Sequence, residues 1–444
     1  MASTPAIDHR PRIAEIKARY KKSQEMLARA VKTIPLGSQT FSKSAIQFPS
    51  HAAPHFLDRG MGSHVWDVDQ NEYVDFINGL LPVILGYCDP DVDAAVEKQL
   101  KRGVSFSMAI DLEVELSELL VKHIPCAEKV RFGKNGTDAT SAAVRLARAY
   151  TGRDRIAVCG YHGWQDWYIG STLRFKGVPS AVRDLTHAFQ YNNIESLEKI
   201  LEEHPGEFAA VVMEPMNVAY PKEGFLQGVA DLTREHGALL VFDEIITGFR
   251  FSIKGAQSLF GVTPDLATFG KSMGNGYPIS AVVGREDVMA EMEEIFFSGT
   301  FGGEALSLAA SIAVINKMER EPVLEKLGKM GARISHSVEN LIAKHGLTEC
   351  ISLNGHPSWT IFAFKDIPGA TLWEIKSLYL QEVLARGILT LGSHNMSYAH
   401  TDSDLAQLEQ AQDEAFGIIR EAIDSGDIKS YLAGPPIEPL FRVR

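Results

Sequence analysis

The sequence has few cysteines, no long apolar run and no surplus of positive charge. The four cysteines, Cys88, Cys126, Cys159 and Cys350, include no CxxC pair, so neither a zinc or redox motif nor a disulfide framework is predicted. Lys plus Arg is 44 and Asp plus Glu is 56, giving a net charge of −12, which disfavours nucleic-acid and anionic-membrane partners. No apolar stretch approaches the roughly 18 residues that span a bilayer, and residues 1–20 contain no apolar signal segment. A cytoplasmic location is therefore expected.

What the chain does contain is enough apolar sequence for a large core. It has 444 residues, of which 45% are hydrophobic and 23% charged, as in globular proteins. This length exceeds that of one ordinary domain, so an enzyme of two or three domains is predicted. The pattern of predicted helices and strands changes along the chain. It suggests an N-terminal helix and small-domain segment over 1–75, a large domain over 76–315 and a C-terminal small domain over 316–444.

The middle of the chain alternates short apolar runs with amphipathic segments of helical length. Runs that are apolar on both faces and are linked by helices indicate a mostly parallel sheet covered on both sides, an α/β fold. The last third instead combines long helices with short strands and suggests a smaller α+β domain. Near the N-terminus, one helix is expected over 13–34. The predicted strands of the central sheet are 130–132, 156–159, 209–213, 238–242, 266–269 and 279–283.

Polar side chains follow these strands at the points where each strand ends. In open α/β sheets, ligands bind beyond the carboxyl ends of the strands. The turn Asn135-Gly136-Thr137 starts a helix, where it either binds a phosphate or acts as an ordinary N-cap. Asp243 either faces a protonated ring nitrogen or makes a structural cap or ion pair. Lys271 either forms a Schiff base or lies at the rim with its ammonium in water.

These three groups together are the parts that pyridoxal 5′-phosphate requires. Its phosphate needs a helix N-terminus, its ring nitrogen a carboxylate, and its aldehyde a lysine amine. Tyr161 supplies a flat face on which the ring could stack. Ile245 or Ile246, just beyond Asp243, could cover the other face, and Ile246 is the predicted contact. No metal site is predicted.

Longer motifs around these residues match a known family. They are Asn-Gly-Thr-Asp-Ala-Thr at 135–140, Tyr-His-Gly-Trp at 161–164, Met-Glu-Pro at 213–215, 237–250 with its Val-Phe-Asp-Glu core, and the stretch at 264–278 that contains Lys271. From about Gly37 to its end, the chain resembles the class III pyridoxal-phosphate aminotransferases of fold type I. Within them it is most similar to the branch of glutamate-1-semialdehyde 2,1-aminomutase.

The resemblance implies a role for each matching residue and a ping-pong transfer of an amino group from a small amine donor to a carbonyl acceptor. Lys271 would form the Schiff base and act as general base and acid, while Asp243 would hold the ring nitrogen protonated. Thr300 would reach the phosphate of a neighbouring subunit, which implies a homodimer with shared active sites. The remaining matches are Gly136 and Thr137 in the phosphate loop, Tyr161 on the ring and Glu214 close to the cofactor.

The substrate is expected to differ from that of the aminomutase. That enzyme has an arginine in the segment corresponding to 37–44, whereas this chain has Gly-Ser-Gln-Thr-Phe-Ser-Lys-Ser, in which Lys43 cannot make a bidentate fork. The hydroxyl and amide groups of this segment suit a hydroxylated aldehyde or ketone such as a sugar. This segment and the loop 301–304 resemble those of relatives encoded with surface-polysaccharide genes. The aminomutase reaction and omega- or beta-amino acid transamination remain alternatives, as does a cofactor-binding protein without turnover.

Two further groups have weaker predictions. The aromatic residues Trp164, Trp167 and Tyr168 either line a sugar pocket or pack in the core or at an interface. His394 and His400 lie in a stretch that approaches the substrate in related enzymes or forms a solvated loop.

Overall fold

A computed structural model describes residues 10–438 of the chain. This part of the chain divides into two compact units. The first consists of the chain up to Leu80, Gly86–Cys88 and the chain from Leu327 onward, and the second consists of Leu81–Leu85 and Asp89–Lys326. The N-terminal and C-terminal segments therefore build one unit together, and the middle of the chain builds the other.

Fourteen strands occur in the described residues. They are β1 Leu57–Met61, β2 His64–Asp67, β3 Glu72–Asp75, β4 Lys129–Gly133, β5 Arg155–Cys159, β6 Thr186–Ala188, β7 Phe208–Met213, β8 Leu239–Asp243, β9 Leu266–Phe269, β10 Ser280–Gly284, β11 Ile351–His356, β12 Trp359–Phe364, β13 Ile388–Leu389 and β14 Ser393–Asn395.

Fifteen α-helices accompany these strands over residues 10–438, and none of them is both long and apolar enough to cross a membrane. They are α1 Arg10–Ala18, α2 Lys21–Ala30, α3 Pro90–Leu100, α4 Asp111–His123, α5 Gly136–Thr151, α6 Asp166–Ile169, α7 Ser180–Arg183, α8 Ile194–Glu203, α9 Phe225–Glu235, α10 Gly255–Phe260, α11 Glu286–Met289, α12 Ala305–Arg320, α13 Val323–Lys344, α14 Leu372–Ala385 and α15 Asp402–Ser425.

The second unit is built on a seven-stranded sheet in the order β4-β10-β9-β8-β7-β5-β6. The strands from β9 to β6 are parallel to one another, and β10 runs antiparallel to both β4 and β9. The six predicted strands all lie in this sheet, and the predicted α/β fold with a mostly parallel sheet is confirmed. The short edge strand β6 was not predicted, because Thr186–Ala188 has no apolar run.

The strands in the middle of this sheet are buried on both faces. Every residue of β7, β8, β9 and β10 is buried, as expected for a sheet covered by helices on both sides. Helix α5 packs against β7, β9 and β10, and α12 packs against α3 and α4. The second unit extends past residue 315 because α12 continues to Arg320 along this packing surface.

The first unit contains two smaller sheets. One has the order β1-β2-β3-β13, with β13 parallel to β3, and the other is the antiparallel sheet β11-β12-β14. The long helices α14 and α15 pack against each other. This mixture of helices and short strands agrees with the α+β pattern predicted for the last third of the sequence.

The prediction of one helix over 13–34 is wrong. The chain leaves the helical conformation near Tyr20, whose side chain is fully buried, and a second helix begins at Lys21. The carboxylate of Asp69 accepts hydrogen bonds from the backbone N–H groups of Lys22 (2.8 Å) and Ser23 (2.9 Å). An acceptor at a helix start stabilises the otherwise unpaired N–H groups. A residue far along the chain therefore fixes this helix boundary.

Candidate functional site

The predicted site residues of the second unit come together at one edge of its sheet. Glu214 follows β7, Asp243 is the last residue of β8, and Lys271 follows β9 after one glycine. Tyr161 follows β5, which is paired with β7. Because β5, β7, β8 and β9 are adjacent and parallel, their carboxyl ends share this edge. Local sequence produces each strand and turn, and the parallel pairing gathers the polar groups.

The start of α5 is a potential anion site beside this edge. The Asp138 carboxylate accepts hydrogen bonds from the N–H groups of Lys134 (3.0 Å) and Asn135 (2.7 Å) and so fixes the turn. Thr137 is buried, and its Oγ1 has no hydrogen-bond partner in the described residues. A Cβ added at Gly163 would lie 2.5 Å from this oxygen, and Gly163 has a φ of 106°. A buried hydroxyl without a partner at a helix N-terminus suits a bound anion.

Asp243 is held by three donors. Its Oδ1 accepts from the Ile245 N–H (3.1 Å) and the Thr268 hydroxyl (3.3 Å), and its Oδ2 lies 2.8 Å from Nδ1 of His162. The other ring nitrogen of His162, Nε2, is 3.2 Å from the Cys159 carbonyl oxygen. A carbonyl oxygen can only accept, so Nε2 carries a proton in this arrangement, and Nδ1 is the ring nitrogen that faces the Asp243 carboxyl group.

Glu214 is the second buried carboxyl group at this edge. Its Oε2 accepts from the Tyr161 N–H (3.0 Å) and from Nδ2 of Asn217 (2.5 Å). Burial raises the pKa of Glu214, and nearby Asp243 adds to the increase, while His162 opposes it. A Cβ at Gly160 would lie 2.4 Å from Oε2 of Glu214, so this position needs glycine. The carboxyl group is thus fixed with a proton affinity above its ordinary value.

Lys271 has an amine that is easier to deprotonate than an ordinary lysine. Burial lowers its pKa to about 8, Glu214 and Asp243 oppose this change, and the positive charge of Arg250 adds to it. The backbone of Lys271 has a φ of 36°, in the left-handed region that few residues other than glycine adopt. An amine with this pKa exchanges protons readily near neutral pH, as a catalytic base or nucleophile must.

The remaining predicted site residues surround these charged groups less closely. Tyr161 is 49% exposed and contacts Tyr168 edge to face at 5.6 Å. The side chain of Ile245 comes within 3.1 Å of the positions that a Cβ would take at Gly136 and Gly270. Ile246 is half-buried and is not among the nearest groups at either glycine. Ile245 is therefore the isoleucine beside the anion site.

Thr300 is exposed and lines a cavity of about 330 Å³ in the second unit. Lys134 and Asp138 line this cavity together with Phe132 and the loop 296–302. Phe296 is 82% exposed and Phe301 is 58% exposed, so an apolar surface lies beside Thr300. Such a surface is typical of a contact with another protein chain.

The structure resolves the two weaker predictions differently. Trp167 and Tyr168 are buried, and they bond Ser141 Oγ (3.0 Å) and the Gly160 carbonyl (2.7 Å), so they belong to the core. Trp164 is 65% exposed. The prediction of a solvated loop for His394 and His400 is wrong, because both side chains are fully buried in the first unit.

Sequence reasoning missed three residues of this edge: His162, Thr268 and Arg250. His162 is part of the Tyr-His-Gly-Trp motif, and its place directly after a strand was the available signal. Thr268 lies inside β9 and looked like an ordinary strand residue. Arg250 ends the motif at 237–250 and was given no role of its own, yet it is only 1% exposed. Their partners are set by strand pairing and packing, which the local pattern does not contain.

Comparison with known proteins identifies the class to which this arrangement belongs. The family "Aminotransferase class-III" matches residues 46–423. The 3-aminobutyryl-CoA aminotransferase of Cloacimonas acidaminovorans (strain Evry) is 34% identical over 92% of this chain and 99% of its own length. A protein named glutamate-1-semialdehyde 2,1-aminomutase 2, from Lachnoclostridium phytofermentans, is 34% identical over 86% of this chain and 96% of its own length.

A solved structure agrees with these sequence relatives. The FumI protein of Sphingopyxis sp. MTA144, solved with pyridoxal phosphate (PLP), has a TM-score of 0.85 and 31% identity, covering 91% of this chain and 98% of its own. The chain belongs to the class-III aminotransferase family. It is a PLP-dependent enzyme with the fold type I architecture, and the predictions of family, fold, enzyme class and cofactor are confirmed.

The residues at the sheet edge fit this cofactor. The start of α5 and the unpaired Thr137 hydroxyl suit a phosphate, the Asp243 carboxyl group suits a protonated ring nitrogen, and the Lys271 amine suits an aldehyde. When bound, PLP supplies an electron sink for the carbon that carries the transferred amino group.

Proposed function

We propose that the enzyme transfers an amino group from an amino-acid donor to a hydroxylated aldehyde or ketone, such as a sugar. The transfer chemistry is supported above all by the Lys271 amine, whose pKa is lowered to about 8 by burial although Glu214 and Asp243 oppose this change. A neutral amine at this position can take a proton from one carbon and return it to another, which is the step common to all transaminations.

Each residue has a distinct part in this proposal. Lys271 anchors the cofactor and then moves the proton, and Asp243, positioned by His162 and Thr268, keeps the ring nitrogen protonated. Gly136 and Thr137 hold the phosphate. The ring is flanked by Tyr161 on one side and by Ile245, in place of the predicted Ile246, on the other. Glu214 lies beside the reacting groups, where it can balance the charge of the amine.

The acceptor is inferred from the segment 37–44, which has no arginine to pair with a substrate carboxylate. Gln39, Thr40 and Lys43 are exposed on it. The Thr40 hydroxyl accepts from the Lys43 N–H (3.3 Å), and the Ser44 hydroxyl donates to the Phe41 carbonyl (2.6 Å). Ser44 is buried, whereas the exposed Thr40 oxygen retains a lone pair that can accept from a substrate hydroxyl.

A second candidate is transamination of a beta-amino acid or its thioester. It is favoured by the relative named 3-aminobutyryl-CoA aminotransferase, which is 34% identical over almost its whole length. Such a substrate presents an amine two carbons from a carbonyl group instead of a chain of hydroxyls. The aminomutase reaction is a third candidate, since relatives with that name are equally similar.

A screen of donors against acceptors distinguishes these candidates. Adding the true donor to the PLP-loaded enzyme should bleach the absorbance of the lysine-bound cofactor and raise that of its amine form. The bleached enzyme is then given hydroxylated aldehydes and sugars, 3-oxo acids and their thioesters, and glutamate 1-semialdehyde in turn. Recovery with the first group supports the main proposal, and recovery only with 3-oxo compounds supports the second. Donor-independent conversion of glutamate 1-semialdehyde to 5-aminolevulinate would instead identify an aminomutase.

We also propose a homodimer in which Thr300 completes the phosphate site of the partner. The exposed Phe296 and Phe301 beside Thr300 support this proposal. Mixing the inactive variants Lys271→Ala and Thr300→Ala tests it directly. In a mixed dimer, one site receives both changes and the other receives none, so activity should return on mixing. If mixed dimers form and no activity returns, the shared site is excluded.

A further inference from the structure

Residues 78–81 have a strained backbone, and the end of this segment contacts the turn that carries Lys271. The successive residues Asn78, Gly79, Leu80 and Leu81 have φ values of 48°, 65°, 78° and 83°. Leucine rarely adopts a positive φ, because its Cβ then crowds the backbone. Two such leucines in a row persist only where the surrounding groups hold them.

The C-terminal end of this segment is bonded to the turn that carries Lys271. The Leu81 carbonyl accepts a hydrogen bond from Nη2 of Arg250 (2.7 Å), and the Ser272 hydroxyl lies 3.5 Å from the same oxygen. The Leu85 N–H donates to Oδ1 of Asn275 (2.8 Å). A Cβ at Gly276 would lie 3.6 Å from Val83. Residues 81–85 and 271–276 thus form one connected structure.

Arg250 is an unusual side chain to find in this place. It is the largest of the fully buried side chains, and burial lowers its pKa to about 9. A buried charge is costly unless hydrogen bonds and opposite charges compensate it. The Leu81 carbonyl accepts a hydrogen bond from Arg250, and the charges of Arg250, Glu214 and Asp243 all act on the Lys271 amine. An apolar side chain would fill the space without these interactions.

We infer that Arg250 is a positioning residue for Lys271. Its guanidinium binds the carbonyl of Leu81, whose backbone is strained, and holds this carbonyl beside Ser272. The contact fixes the backbone turn from which Lys271 extends. The positive charge has a second consequence. Two carboxyl groups alone favour the protonated amine, and the arginine opposes them, so more of the lysine is neutral near pH 8. This inference rests on the proposed role of Lys271.

The test measures the amine itself in the cofactor-free enzyme. Lys271 is acetylated by a brief pulse of an amine-reactive reagent over a range of pH, and the modified peptide is quantified by mass spectrometry. In Arg250→Met the midpoint should move upward by about one unit, since a nearby like charge has been removed. Arg250→Lys keeps a charge and one donor and should stay closer to the wild type.

A matched control is available at the opposite end of the sheet. Arg153 also donates to backbone carbonyls, those of Phe208 (3.1 Å), His236 (2.7 Å) and Gly237 (2.9 Å), but it lies at the amino ends of the strands. Arg153→Met should destabilise the protein and leave the Lys271 midpoint unchanged. An Arg250→Met midpoint equal to that of the wild type and of this control would overturn the inference.

The strain gives a second and independent readout. Glycine adopts a φ of 83° without crowding, so Leu81→Gly removes the strain that Arg250 is inferred to hold. Arg250→Met should therefore lower the midpoint of urea unfolding more in the Leu81→Gly background than in the wild type, because in the wild type the released strain offsets part of the lost hydrogen bond. Equal losses in both backgrounds would contradict the positioning role. If Arg250→Met does not fold, Arg250→Gln, which keeps a donor without the charge, is used in both experiments.

Failure of the inference about Arg250 can be distinguished from failure of the proposed function. Loss of the donor-induced spectral change in PLP-loaded Lys271→Ala supports the proposed role of the lysine, and its retention contradicts that role. The labelling and unfolding measurements do not involve the cofactor, so they report on Arg250 in either case.

Discussion

Both units bury ionisable side chains but surround them differently. In the second unit, Asp243 and Glu214 lie close enough to Lys271 to oppose the effect of burial on its pKa. In the first unit, His394 meets neutral groups, the Thr360 hydroxyl (2.9 Å) and the Gln412 amide (2.8 Å). Burial lowers the pKa of His394 to about 3, with His400 adding to the change, so it stays neutral.

This contrast separates a reactive site from a structural network. Charged groups that compete for protons are costly to assemble and are useful where protons must move. A neutral network satisfies hydrogen bonds and holds helices and strands in register, at the cost of sensitivity to acid. Variants of matched residues in the two units should therefore lose different properties.

The largest effect is expected from removing the reactive amine. Lys271→Ala should lower the rate of transamination by about 10⁴-fold, since no other group moves the proton. Lys376 in the first unit is the matched control, because burial lowers its pKa as well. Lys376→Ala should keep full activity, measured by turnover with the identified donor. Comparable losses in both variants would show that lysine burial alone does not mark the site.

The next effect is expected at Asp243, the proposed partner of the cofactor's ring nitrogen. Asp243→Asn should lower turnover by about 10²–10³-fold, because a neutral amide stabilises the protonated ring poorly. Asp404 in the first unit accepts from the Ser63 hydroxyl (2.8 Å) and His64 Nε2 (2.9 Å) and serves as its counterpart. Asp404→Asn should reduce the free energy of unfolding and leave turnover unchanged. Rates are compared with thermal unfolding of both variants.

A smaller effect is expected when the partner of Asp243 is changed. His162→Phe should lower kcat by about tenfold, as a hydrogen bond to a charged group contributes about 1.5–3 kcal/mol. His162→Gln retains an amide donor and should lose less. His394→Gln, the matched change in the first unit, should leave kcat unaltered. If His162→Phe keeps the wild-type kcat, the histidine only fills space.

The smallest effect concerns stability rather than rate. His394 remains neutral in the folded protein down to about pH 3, whereas an unfolded histidine takes up a proton near pH 6.5. The stability from its burial is therefore complete above pH 6.5 and is lost as the pH falls towards 3. At pH 5 the loss should be about 2 kcal/mol. Urea unfolding at pH 7.5 and 5 should show a smaller decline for His394→Gln than for the wild type.

The fold was largely predictable, because the apolar runs that form its central sheet can be recognised within a few residues of sequence. Runs such as Val211–Val212 and Leu239–Leu240 are apolar on both faces, and only a covered sheet accommodates them. The helix boundary near Tyr20 was not predictable, since Asp69 sets it from nearly fifty residues away. The strand β6 was missed for a related reason: pairing with β5, rather than its own composition, makes Thr186–Ala188 extended.

The candidate site was predictable in part. Lys271, Asp243 and the Gly136-Thr137 turn could be singled out as candidates, because a polar residue at the end of an apolar run is conspicuous. The sequence could not distinguish Ile245 from Ile246, because the two are adjacent and equally apolar. Only their positions in the folded chain show that Ile245 lies near Gly136 and Gly270. The roles of His394 and His400 were likewise open until their burial was known.

Apart from β6 and the boundary between α1 and α2, the sequence by itself determined the strands of the central sheet and the residues placed at the end of each strand, because these depend on patterns within a few residues. Only the tertiary structure decided which groups meet. His162 reaches Asp243 across 81 positions of the chain, and Arg250 reaches Leu81 across 169. The proton affinities of Lys271 and Glu214 follow from those meetings, since burial and neighbouring charge are properties of the folded chain.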